Sequence, residues 1–153
     1  MVTDTSGSAT FTVLTARFGP VEVSAEQVLQ FTAPLLPFVQ ARRFALLASP
    51  DEAPFVWLQA ADEPALALVV APYEAMAAMP PPAPSPAIAE ELGCAPGQAA
   101  EAYVIVSIRP LAAQTTVNLL APIYVCRQTL RARQVILDGD LELVRVPLLS
   151  EAA

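Results

Sequence analysis

Thr116-Val117-Asn118-Leu119-Leu120-Ala121-Pro122-Ile123 opens the stretch whose reading decides the fold. Arg133-Gln134-Val135-Ile136-Leu137-Asp138 continues it, and Arg145-Val146-Pro147-Leu148 closes it. Packing accounts for the apolar runs, but not for an Asn, a Pro and an Arg-Gln pair interrupting them in this order. The β-branched and aromatic content predicts strands at 115–120, 123–127 and 133–137. Asp138-Gly139-Asp140 is a hairpin signal and predicts a return strand through 141–146. Asn118 has two readings. It caps a turn or bulge before Ala121-Pro122 by bonding nearby backbone groups, or it joins Gln59 and Gln134, polar residues also set in β segments, in a recognition surface.

Working outward, residues 101–109 are apolar on both alternating faces, as in a central strand buried on both sides. Ser85-Pro86 starts a short helix, with Ser85 as N-cap, Pro86 at the first helical position and Gly93 as terminator. Glu90 and Glu91 fall late in it, where the macrodipole disfavours them, so packing through Ile88 and Leu92 must hold it. Pro80-Pro81-Pro82 makes 79–86 extended or polyproline II. A spacer crossing the domain is favoured there over a ligand for an SH3-type module. Further strands are predicted at 10–16, 21–23, 43–48, 55–59 and 65–71, with Trp57, the only tryptophan, in the fourth of these, and a short element at 28–31. Phe18-Gly19-Pro20, Ser49-Pro50-Asp51-Glu52 and Ala61-Asp62-Glu63-Pro64 read as turns, and links this short cannot make parallel crossovers. About ten short strands and one short helix predict a mainly β fold, a small antiparallel β-barrel that leaves no long open edge. The domain is expected over 10–150, after a disordered tail at 1–9.

Composition narrows the function. The chain has 153 residues, enough for one domain with a sizeable core. It has no histidine, and its eight Lys+Arg residues are all arginines. A catalytic imidazole and the Ser-His-Asp or Cys-His arrangements are therefore excluded. Cys94 and Cys126 are too few and too far apart in sequence for a zinc site, and are expected as free thiols. Single scattered glycines give no phosphate loop, and Asp138-Gly139-Asp140 lacks the later ligands of a calcium loop. No cofactor is expected. The net charge of -7 disfavours direct nucleic-acid binding, and it fits either a basic partner or simply a soluble surface. Arg127, Arg131 and Arg133 read as a solvated hairpin tip, and the acidic pairs Asp51-Glu52 and Asp62-Glu63 as solvated turns. Residues 1–8 have no basic and apolar segments of a secretory signal. No apolar run reaches the ~20 residues of a membrane span, so a cytoplasmic protein is expected.

Arg17-Phe18-Gly19-Pro20-Val21-Glu22-Val23, Phe55-Val56-Trp57-Leu58-Gln59 and Pro64-Ala65-Leu66-Ala67 through Pro72 stand in order and spacing with the C-terminal motifs. Together they resemble the FliW family of flagellar assembly factors from about Ala16 onward. There, an F-G-x-x-E-V hairpin and an F-x-x-L-Q strand precede N-L-x-A-P-I, R-Q-V-x-L-D and R-x-P-L. The loop after Phe31 departs from the family. Pro34-Leu35-Leu36-Pro37-Phe38-Val39 replaces two glycines of the family pattern by proline and its acidic residue by Val39, so the loop must take another path.

The resemblance implies a FliW-like β-barrel and a regulator that is not an enzyme. Its implied partner is CsrA, a small basic dimer that represses translation by covering ribosome-binding sites. Binding CsrA relieves repression of flagellin synthesis, and flagellin is the competing partner. Gln59, Asn118, Pro122 and Gln134 are the candidate partner-binding residues. Two other classes compete with this reading. A small β-barrel binding a small molecule in its interior needs a cavity with convergent polar groups. A hydrolase built on a carboxylate pair needs two acidic side chains facing one another in a cleft.

Overall fold

The β-branched runs do form strands, and the hydrogen-bond ladder closes on itself. The computed structural model describes residues 10–35, 38, 40–95 and 100–147. The expected tail at 1–9 and the last expected domain residues, 148–150, lie outside them. The barrel strands are β3 (Val28–Phe31), β4 (Arg43–Ala48), β5 (Val56–Ala60), β6 (Ala67–Pro72), β7 (Glu101–Ser107), β8 (Thr116–Cys126) and β9 (Arg131–Gln134). They run in the order β8-β7-β6-β5-β4-β3-β9, and β9 pairs back onto β8, giving a closed seven-stranded barrel. Neighbours are antiparallel except at β3–β9, where Gln30 meets Arg131 and Phe31 meets Ala132 in parallel.

The barrel interior is filled. Leu29, Phe31, Leu35, Phe44, Leu46, Leu58, Val70, Ile123 and Val125 form one buried cluster, with Phe31 and Phe44 edge to face at 5.2 Å. Each such side chain contributes roughly 1.5–3 kcal/mol on burial. This packing removes the cavity that an interior ligand requires. Leu35, in the loop that departs from the family pattern, is fully buried, and Phe38 donates its N–H to the Leu35 carbonyl. The rest of that loop, 36, 37 and 39, is outside the described residues.

Two covers sit on the outer wall. The hairpin β1 (Thr10–Thr15) and β2 (Gly19–Ser24) packs Val13 and Val23 onto Ala45. On the other side α1 (Tyr73–Ala77) and α2 (Pro86–Leu92) cover Val104, Val106, Val117 and Tyr124. Strand β7 is buried on the face of Ala102, Val104 and Val106, but Tyr103 and Ile105 on the other face are only half-buried, so the expectation of a strand buried on both sides is met on one face alone. Helix α2 has the expected ends: the Ser85 hydroxyl accepts the Ile88 N–H at 3.3 Å, and Gly93 adopts φ 77°, which favours glycine. Leu92 is fully buried and Ile88 packs beside it. Glu91, at the helix end disfavoured by the dipole, is compensated by Arg133 and the Thr32 hydroxyl. The proline stretch crosses over Tyr124, whose hydroxyl donates to the Pro82 carbonyl at 2.8 Å.

Three expectations are corrected. Residues 115–120 and 123–127 are one eleven-residue strand, β8, running through Pro122. The strand expected at 141–146 is a 3-10 turn, Leu141–Arg145, leaving only β10 (Val146–Pro147) to pair with β8. No hairpin forms at Asp138-Gly139-Asp140, because the chain must turn to lay this segment along β8. Helix α1 was not anticipated: five residues are too few to show a helical period.

Buried Gln59 makes the β5–β6 turn sensitive to charge. Its Nε2 lies 3.1–3.2 Å from the carbonyls of Ala60, Glu63, Pro64 and Leu66. Gln59→Glu keeps the shape but points carboxyl oxygens at those four carbonyls, and burial with these neighbours raises the new pKa. The penalty is absent below the unfolded glutamate value of ~4.3 and grows as pH rises towards the raised folded value. Thermal melts should show a loss of about 2 kcal/mol near neutrality that shrinks on acidification. A pH-independent difference would refute this account.

Glu91 works with the opposite sign. Hydrogen bonds from Thr32 and Arg133 hold its carboxyl below the ordinary range. Its contribution is therefore present above the unfolded carboxylate pKa and lost as pH falls through the folded value. Glu91→Gln is expected to melt below the wild type at neutral pH, with the gap closing in acid. An equal gap at both pH values would assign its effect to shape and not charge.

Candidate functional site

The tight β1–β2 turn creates the most distinctive surface. The Thr15 hydroxyl donates to the Gly19 carbonyl at 2.8 Å and accepts the Phe18 N–H at 2.7 Å. Gly19 takes φ 70°, a left-handed conformation that costs glycine little. This bracket holds Phe18 out from the hairpin, 47% exposed, with its ring edge-on to Trp57 at 5.9 Å. Beside it lies an open groove of about 410 Å³. Phe18, Val21, Leu47 and Trp57 make its apolar lining, and Asp51 and Glu52 from the Pro50–Glu52 turn stand on it. Both acids are exposed and have no ion pair or side-chain hydrogen bond among the described residues.

Trp57 also borders a second hollow, with Arg17, Gln59 and Pro64. The Arg17 guanidinium lies 4.3 Å from the Trp57 ring centroid, a cation–π contact. A third hollow, between Tyr73 and Tyr103, carries Glu74 and Glu101, but Glu101 is already bound to Arg127 at 3.0 Å. The fourth and largest, about 760 Å³, is polar and contains Ser107, Arg109, Gln114, Thr116, Asn118 and Arg145. Arg109 and Arg145 have no ion pair among the described residues. Six arginines are engaged elsewhere, including Arg131 on the Glu91 carbonyl and Arg42 on the Phe31 carbonyl. The basic run 127–133 does flank the solvated β8–β9 turn, with Arg127 and Arg131 exposed, and each of its arginines also holds a local acceptor.

The four candidates from sequence do not form one surface patch. Gln59 is fully buried; it staples the β5–β6 turn, and its Oε1 is the one buried side-chain polar atom without a partner among the described residues. Pro122 is also buried, and its carbonyl accepts the Val135 N–H at 2.9 Å. Neither side chain is on the surface, which corrects their assignment as surface candidates. Asn118, Pro122 and Gln134 do come together at a bulge in β8. Between the pairs Tyr103–Ile123 and Ile105–Asn118, β7 advances two residues while β8 advances five. The Asn118 Oδ1 accepts the Leu120 N–H at 3.0 Å, and the Gln134 Nε2 donates to the Ala121 carbonyl at 3.3 Å. Asn118 thus does what the local reading of its sequence context expects, and its half-buried side chain also borders the arginine hollow.

Sequence reasoning missed the groove. Asp51-Glu52 reads as an ordinary turn, and only the folded hairpin brings Phe18 across to Trp57. Nor does the sequence pair the cysteines, which meet beside α2. Both are free thiols. Burial and the hydrogen bond to Cys126 push the Cys94 thiol up to about 11. Burial also acts upward on Cys126, but hydrogen bonds from Cys94, Thr129 and nearby backbone outweigh it and lower its pKa. Among the described residues no cluster of three His, Cys, Asp or Glu is placed to hold a metal ion, and no helix is long and apolar enough to cross a membrane.

A family profile described as FliW protein matches residues 12–148. A flagellar assembly factor FliW of Bdellovibrio bacteriovorus is 34% identical over 139 residues, covering 91% of this chain and 79% of that protein. One of Geotalea uraniireducens is 35% identical over 138 residues, covering 88% and 82%. A crystal structure of the flagellar assembly factor FliW superposes with a TM-score of 0.82 at 25% identity, covering 94% of this chain and all of that one. The profile, the relatives and the barrel agree: the chain belongs to the FliW family.

Proposed function

We propose that the chain is a cytoplasmic regulator that binds CsrA, relieves repression of flagellin translation, and exchanges CsrA for flagellin. The family match across residues 12–148 carries this reading. Its charge supports it: a net -7 surface steers towards a basic RNA-binding protein and speeds encounter. The alternative of a small molecule held inside the barrel loses its footing with an interior packed by Phe31, Phe44 and Leu58.

Asn118 and Gln134 are the two sequence candidates whose amides are only half-buried. We propose them as contacts for flagellin and not for CsrA, because Arg109 and Arg145 beside Asn118 repel a cationic partner. Gln59 and Pro122 act on binding only through the backbone they shape.

Calorimetric titration with CsrA from the same genome tests the reading at two salt concentrations. Micromolar or tighter affinity is expected, weakening with salt as screening shortens the reach of the charges. A folded sample that releases no heat refutes it. Asn118→Ala is expected to stay folded, keep its affinity for CsrA and bind flagellin at least several-fold more weakly. Global unfolding of that variant would make Asn118 purely structural.

A further inference from the structure

We infer that the Phe18–Trp57 groove is the docking surface for a cationic protein partner. An apolar side chain of the partner sits against Phe18 and Trp57, and an adjacent arginine or lysine meets Asp51 and Glu52. This rests on the regulator reading above and names the surface that reading leaves open.

Charge selects the occupant. Asp51 and Glu52 have no partner among the described residues, yet they border a lining made of Phe18, Val21, Leu47 and Trp57. An apolar segment without positive charge leaves both carboxylates uncompensated, and a hydrophilic cation leaves the aromatic surface wet. A segment carrying both features satisfies the two halves together. The other hollows fit such a partner less well. The largest is lined by Arg109 and Arg145, the Gln59 hollow by Arg17, and in the Tyr73–Tyr103 hollow Glu101 is already paired with Arg127.

Rigidity strengthens the assignment. The Thr15 bracket fixes the backbone at Phe18, and Ala16 donates its N–H to the Pro64 carbonyl at 2.8 Å, pinning the hairpin turn to the barrel. Trp57 is held by the β5 ladder between Leu47 and Val69. An aromatic pair preorganised in this way loses little conformational entropy on binding, which is why such residues dominate interface energetics.

The groove carries its own reporter, because Trp57 is the only tryptophan of the chain. CsrA is titrated into the wild type, Phe18→Ser and the double variant Asp51→Asn/Glu52→Gln, following heat and Trp57 emission, with melting curves to confirm folding. Saturation should shift the wild-type emission. Phe18→Ser should weaken binding tenfold or more. The double variant, which leaves the aromatic packing untouched, should bind several-fold more weakly at low salt and show a shallower salt dependence. Wild-type binding without an emission change, matched by both variants, overturns the groove and leaves the regulator reading standing. A wild type that ignores CsrA overturns both.

Discussion

Strand β9 is four residues long, and the barrel exists because it serves two neighbours. It pairs antiparallel with β8 and parallel with β3, so the two edges that an open sheet would expose are both satisfied. Its position depends on the bulge in β8. Three surplus residues on β8 bend that strand away from its β7 register, and Pro122, which has no N–H to give, sits in this irregular stretch as proline in a sheet must. The carbonyls there are not wasted: Val135 and Leu137 donate to Pro122 and Leu120 at 2.9 and 2.7 Å. Asn118 and Gln134 hold the same bulge by side-chain bonds. The polar interruptions of the C-terminal third thus mark the corner at which the sheet curls shut.

Legibility followed the range of the interactions. Strands β4 to β7 are readable because alternation and turn composition are local, whereas Val28–Phe31 shows in sequence only as a short element of open type. Helix α2 is readable too, since Ser85, Pro86 and Gly93 act within one turn. The parallel β3–β9 pairing is not, because it joins residues a hundred positions apart and no local pattern records it. Gln59 misled for a related reason. A glutamine in a strand reads as exposed, but four carbonyls of the following turn converge on it and make burial tolerable. The 3-10 turn Leu141–Arg145 replaced a predicted strand because β8 has only a short free edge there, used by Val146 and Pro147. The groove was invisible in sequence, since its residues come from the hairpin, β4, β5 and the turn between those two strands.

Arginine usage explains why the surface is more polarised than a net charge suggests. Arg43, Arg127 and Arg133 pair with carboxylates, Arg17 stacks on Trp57, and Arg42 and Arg131 reach backbone carbonyls. Exposed pairs of this kind add little stability, on the order of 0–1 kcal/mol. Their larger effect is on what remains. Among the described residues, Arg109 and Arg145 at the Asn118 hollow are the arginines held by no carboxylate, carbonyl or ring. The acids without an ion pair include the adjacent Asp51 and Glu52 at the Trp57 groove.

Strand alternation sets those two surfaces on different faces of the wall. Trp57 pairs with Val69, Val69 with Val106, and Val106 with Val117, and this row lies on the outer face, opposite the interior row that holds Leu58, Val70 and Ile105. Ile105, Ser107, Thr116 and Asn118 have the other parity, so the sheet residues that line the arginine hollow point to the opposite side from Trp57. The outer face at Trp57 is left for the β1–β2 turn to cover with Phe18, and the acids of the β4–β5 turn stand beside that cover. The two charge preferences therefore sit on opposite faces of one short stretch of sheet and do not cancel at a single patch.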